Sequence, residues 1–206
     1  MIIVKLDCVR STEALDKRGY AVTIAIRSQL DEITDRIFRD LPNESAPSSA
    51  RRFNGERQGD GKMLGAPRTH ALEVLRRVMA IQDESAWQHP DWLPLRAALG
   101  IAEVSWDAGV YEAASVPNGR DLHIIARLLG ECPPSSVVIN EPLLRAIREY
   151  DNPLLSFFEV RVAELRGIEG SQTYGLVPPR PREPLEPLTG AWKRFVNSRA
   201  PSVMIP

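Results

Sequence analysis

The sequence predicts an α+β fold, a mixed or antiparallel sheet covered by helices. Three observations point there. The opening run "IIVKL" (2–6) is almost continuously apolar, as in a central strand buried on both faces. From Gly19 to Asp40 the apolar residues Val22, Ile26, Leu30, Ile33 and Ile37 recur every three or four positions, which marks one face of a long amphipathic helix. Then "RRFNGERQGDGKMLGA" (51–66) reads as two half-buried extended runs pinched around Gly59-Asp60-Gly61. Asp-Gly is a strong hairpin signal, and a hairpin forces antiparallel pairing into an otherwise alternating order of strands and helices.

The remaining elements follow the same reasoning. Asp7 ends the first strand, and Ser11 and Thr12 in "VRST" have the hydroxyl chemistry of helix caps. "LPNESAPSSA" (41–50) is a loop by composition. Leu72, Leu75, Val78, Met79 and Gln82 mark a second helix, which stops before the Trp/Pro-rich "WQHPDWLP". "LRAALGIAEV" (95–104) is extended, and "VPNGRDLHIIARLLGE" (116–131) turns from a loop into a helix. "SSVVIN" (135–140), a short helix over 142–150, "FFEVRV" (157–162) and "QTYGLV" (172–177) complete the alternation. Beyond Val177 seven of the 17 prolines crowd into the last stretch. The expected division is therefore a domain over 1–177 and a Pro-rich extension over 178–206.

Bulk properties narrow the function. A chain of 206 residues with 43% hydrophobic and 26% charged residues has the make-up of an ordinary globular domain with a substantial core. A net charge of -1 excludes a surface built wholly for nucleic acid or anionic membrane. No stretch approaches the roughly 20 apolar residues of a membrane span, and the start lacks a signal-peptide pattern, so the expected compartment is the cytoplasm. Cys8 and Cys132 share no metal-type spacing and read as reduced thiols. His70 and His89 have no spaced ligand partner, Trp87 and Trp92 read as a packed loop, and Arg76-Arg77 as a solvated helix face.

Asp7 and Asp60 carry the chemical signal. If the first strand pairs beside the hairpin, the two carboxylates converge, and a pair of carboxylates with waters and phosphate oxygens suits magnesium. Several segments also have a family look. "VKLDCVRST" resembles the first catalytic motif of class III nucleotidyl cyclases, "RQGDGKML" the second, and "NGRDLHIIARLLGE" the third. "LRAALGI" is similar to the strand before that third motif, and "VAELRGIEGSQTYGLV" to the closing leucine–basic–glycine stretch with its last strand. The matches fall in the family's order and span about residues 1 to 177.

That resemblance implies a ferredoxin-like catalytic core acting as a head-to-tail homodimer, with two composite sites in the cleft between subunits. Asp7, Cys8 and Asp60 would hold two Mg²⁺ or Mn²⁺ ions per site. Ser11, Thr12 and Arg166 would bind the triphosphate of an NTP substrate. Arg127 would take the transition-state role, and His123 stands where the family has a ribose-positioning asparagine. The base-reading positions are Glu56, Arg57 and Val116. Adenylate cyclases carry Lys at the first of these and Asp at the last, so the adenine-reading pair is absent. Glu56 matches guanylate cyclases. A short chain with an altered base pocket resembles the pyrimidine cyclases of antiphage signalling, which make cyclic UMP or CMP. The rival readings are a guanylate cyclase and a pseudocyclase that binds nucleotide without turnover. A polymerase-like or diguanylate cyclase domain is a third, although its Gly-Gly-acidic-acidic-Phe turn is not found here.

Overall fold

The computed structural model describes residues 1–18, 20–39, 41, 53–58, 61–83, 93–107, 116–150 and 152–179. Their order is β1 (Ile2–Cys8), α1 (Ser11–Arg18), α2 (Tyr20–Phe38), β2 (Phe53–Gln58), β3 (Gly61–Ala66), α3 (Ala71–Asp83) and β4 (Leu95–Ile101). There follow β5 (Ser105–Asp107), β6 (Val116–Asn118), α4 (Arg120–Glu131), β7 (Val137–Asn140), α5 (Glu141–Glu149), β8 (Glu159–Glu164) and β9 (Ser171–Val177). Seven strands form one sheet in the order β2-β3-β1-β4-β7-β9-β8, with β5 and β6 as a separate ribbon. β1 runs antiparallel to both β3 and β4, and β4 runs parallel to β7 across the α4 crossover. The β4-β1-β3-β2 portion has the expected ferredoxin-like order, and the α+β expectation holds.

Strand alternation sorts the side chains into two layers. Ile2, Val4, Leu6 and Cys8 of β1 join the apolar faces of α2, α3 and α5 in the larger core. Ile3 faces the other way and packs with Met63, Ala98 and the inner stripe of α4, namely Leu122, Ile125, Leu128 and Leu129. The α2 stripe read from sequence is buried at Ile26, Leu30, Ile33 and Ile37. So is the α3 stripe, from Leu72 to Gln82.

Several expectations need correction. The long helix expected from Gly19 to Asp40 is α2, Tyr20–Phe38, and a separate short helix, α1, precedes it from Ser11. β1 runs through Asp7 to Cys8 instead of ending at the aspartate. β3 is buried along its whole length, not half-buried, because β1 and β2 flank it and its side chains enter both cores, Leu64 and Ala66 the larger and Met63 the smaller. Its Lys62 is tolerated there by an ion pair to Asp31 of α2, Nζ to Oδ1 at 2.8 Å. Arg77 is no solvated face either. Its guanidinium bonds to Glu73 at 2.8 Å and donates to the carbonyls of Ile37 and Arg39, tying α3 to the end of α2. Residues 116–118 form a strand where a loop was expected.

Asn140 joins β4, β7 and α5. Buried at the end of β7, it accepts from the Ile101 and Leu143 amides through Oδ1 and donates to the Ile101 carbonyl through Nδ2. It thereby clamps β4 to β7 and caps α5 at once. Gly100 leaves the space it needs, since a Cβ there would meet Asn140 and Ile125 at 2.6 Å.

Candidate active site

The site begins from the alternation of β1. Lys5 and Asp7 follow Ile3 on the α4 side, where α4 covers only part of the sheet, and both stay partly exposed. Directly opposite Asp7 across the strands are Arg96 on β4 and Gly61 on β3. Arg96 makes an ion pair with Asp7: Nε and Nη2 both reach Oδ2, at 2.8 and 2.7 Å. Burial pulls the pKa of the Lys5 ammonium below the usual lysine value. The Asp7 carboxylate opposes that shift, and the charge of Arg127 adds to it. Lys5, Asp7 and Arg127 therefore belong to one electrostatic neighbourhood.

Asp60 lies outside the described residues, but its chain neighbour Gly61 is the Cα partner of Asp7. Gln58 pairs with Gly61, so positions 59 and 60 are the two residues joining β2 to β3. Among the described residues no three acidic, His or Cys side chains cluster as a metal site. The donor chemistry of Asp7 nonetheless fits a hard divalent cation: a carboxylate, partly exposed, at the rim of a sheet. Cys8 does not fit as a thiol ligand. Its side chain is 1% exposed and points into the larger core, on the sheet face opposite Asp7, so only a main-chain group could serve.

The other half of the site is on α4. Arg120, His123 and Arg127 fall on its exposed stripe, opposite the apolar face, with the last two separated by one helical turn. They line a cleft of about 410 Å³ together with Gly167, Ile168 and Glu169 of the β8–β9 turn. Leu165 anchors that turn in the core beneath α4, and Gly167 takes a φ of 78° that disfavours side chains. Arg166, exposed, immediately precedes it. The third motif and the closing basic–glycine stretch thus meet in space, about 40 residues apart in sequence.

Ser11 is buried as the first residue of α1, and Thr12 is exposed beside it. The side chains of Glu56, Arg57 and Val116 lie outside the described residues, although their backbones fall on β2 and β6. Sequence reasoning missed three groups: Lys5, Arg96 and Arg120. Lys5 had a signal, as the single charge before Asp7 in an apolar strand. Arg96 had none, because its partner is 89 residues away and only strand register joins them.

No family model matches the chain, and no curated protein matches it either. Solved structures do match. The adenylyl cyclase CyaB from P. aeruginosa superposes with a TM-score of 0.63 at 13% identity, over 87% of this chain and 94% of that one. An adenylate cyclase from Trypanosoma brucei, described in its monomeric state, gives 0.63 at 13%, over 87% and 91%. The guanylate cyclase domain of RhGC from Catenaria anguillulae, solved with GTP, gives 0.55 at 14%, over 87% and 96%. The chain has the nucleotidyl cyclase catalytic fold. Because both adenylyl and guanylyl cyclases superpose, the fold leaves the base open. Among the described residues, no helix is long and apolar enough to cross a membrane.

Proposed function

We propose that this chain is a nucleotidyl cyclase that converts an NTP into a 3′,5′-cyclic nucleotide and pyrophosphate, in composite sites of a homodimer. The observation that carries the reading is the cleft in which His123 and Arg127 face the turn following Arg166, on the same side of the sheet as Asp7. In the reaction the ribose 3′-hydroxyl loses its proton and attacks the α-phosphorus, and the bond to the pyrophosphate oxygen breaks. Asp7 and Asp60 are the residues that would hold two Mg²⁺ or Mn²⁺ ions. Such ions, when bound, lower the pKa of the hydroxyl and offset triphosphate charge.

The chain's own residues supply positioning and charge. Arg127 offers a planar fork of donors to the charge building on the α-phosphoryl group. His123, one turn away, donates a hydrogen bond to the ribose. Arg166 pairs with the terminal phosphates. The amides opening α1, with the hydroxyls of Ser11 and Thr12, bind phosphate oxygens at a helix N-terminus. Glu56, Arg57 and Val116 read the base. A valine offers no hydrogen bond to an adenine edge, and an unmatched buried polar edge costs ~1–3 kcal/mol. We assign a pyrimidine NTP as substrate and a cytoplasmic role as the source of a cyclic UMP or CMP messenger in antiphage defence. Glu56 favours one other reading, a guanylate cyclase.

Complementation tests the shared site. Asp7→Ala and Arg127→Ala chains are each inactive alone. Mixed, they regain roughly a quarter of wild-type activity, since random pairing yields about half heterodimers with one intact site each. No recovery from folded, dimeric chains would refute the composite arrangement.

A further inference from the structure

Arg96 holds the carboxylate on which the proposed metal site depends. Asp7 and Arg96 are direct cross-strand partners, and both guanidinium contacts land on one oxygen, Oδ2. The pair sits at the rim of the sheet, with the Asp7 side chain 17% exposed and that of Arg96 29%. A second cation, Lys5, is within electrostatic reach on the same strand face. A carboxylate that is to hold two divalent ions needs both oxygens or a shared one, and Oδ2 is already engaged.

We infer that Arg96 is a positioning residue that competes with divalent cations for Asp7, so that metal enters by displacing a guanidinium. The inference rests on the cyclase reading of Asp7. The backbone at Asp7 is fixed by pairing on both sides, to β3 and to β4, so removing Arg96 releases Oδ2 from the guanidinium while that pairing keeps the Cα in place. What is lost is a competing charge beside the site, and cation binding tightens.

The test is Mn²⁺ binding to the purified full chain without nucleotide, followed by the electron paramagnetic resonance signal of free Mn²⁺. Arg96→Gln is expected to tighten binding about fivefold, the factor that corresponds to an ion pair of ~1 kcal/mol. In an Asp7→Asn background the same substitution changes nothing. Arg96→Lys keeps the charge without the fork and gives a smaller gain of about twofold; it decides the matter if the glutamine variant does not fold. Unchanged or weaker Mn²⁺ binding in the folded Arg96 variants overturns the competition while leaving Asp7 as a ligand. Mn²⁺ binding that is indifferent to Asp7→Asn overturns the metal reading of Asp7, and the competition falls with it.

Discussion

Gly100→Ala offers a demanding check on how the fold positions the site. The added methyl would come within 2.6 Å of the Asn140 carboxamide and of Ile125 on α4. Neither can yield easily. Asn140 is 2% exposed and holds three hydrogen bonds, to Ile101 N, Ile101 O and Leu143 N, while Ile125 is 1% exposed in the inner stripe of α4. Displacing the carboxamide forfeits those bonds at ~1 kcal/mol each, and overpacking adds ~1 kcal/mol or more. The expected loss is about 4 kcal/mol. With a denaturation slope of ~2 kcal/mol per molar urea, the midpoint falls by about 2 M. Asn140→Ala alone should cost ~3 kcal/mol. The double variant should cost clearly less than the sum, since the alanine at 140 removes the clash with the carboxamide and leaves only that with Ile125; that shortfall is the coupling a double-mutant cycle reads. A Gly100→Ala protein within ~0.5 kcal/mol of wild type, or simple additivity, would refute the claim that Gly100 exists to seat Asn140.

Further expectations concern buried ionisable groups. Burial pushes the Cys132 thiol up to about 12, with its S–H directed at the Ala97 and Ser136 carbonyls. Its folded pKa exceeds the unfolded value, so this contribution is intact below about pH 9 and is lost as pH climbs toward 12. Urea midpoints should therefore drop from pH 9 upward, and less steeply in Cys132→Ala; identical pH profiles would contradict the assignment. Iodoacetamide at pH 8 should label neither Cys132 nor Cys8 until the chain unfolds, as both are buried free thiols. Asp31→Ala leaves the Lys62 ammonium in the core without its carboxylate. It should destabilise by ~1–2 kcal/mol, discounted because Asp31 is half exposed, while Lys62→Met with Asp31→Ala recovers most of the loss in urea melts.

How much was legible follows from where the information resides. The stripes of α2 and α3, the β2–β3 hairpin and the β9 strand could be read because periodicity and turn chemistry are local. His123 and Arg127 sit on the exposed stripe of α4 as helical spacing requires. The full burial of β3 was obscured by Lys62, which reads as a solvent-facing residue until Asp31 is placed beside it. The ion pair of Asp7 with Arg96 depends on β1–β4 register, which no single stretch encodes. The Cys8 thiol is turned away from Asp7 because adjacency in a strand places neighbours on opposite faces, which leaves its main chain alone on the metal side.

Product analysis decides whether the chain cyclises a nucleotide. The full chain is incubated separately with ATP, GTP, CTP and UTP in Mn²⁺ or Mg²⁺, and products are resolved by mass spectrometry. The expected result is one molecule of pyrophosphate for each 3′,5′-cyclic nucleotide, with UTP or CTP preferred and turnover abolished by Arg127→Ala. Release of pyrophosphate without a cyclic product, or nucleotide binding with no turnover of any of the four, would contradict it.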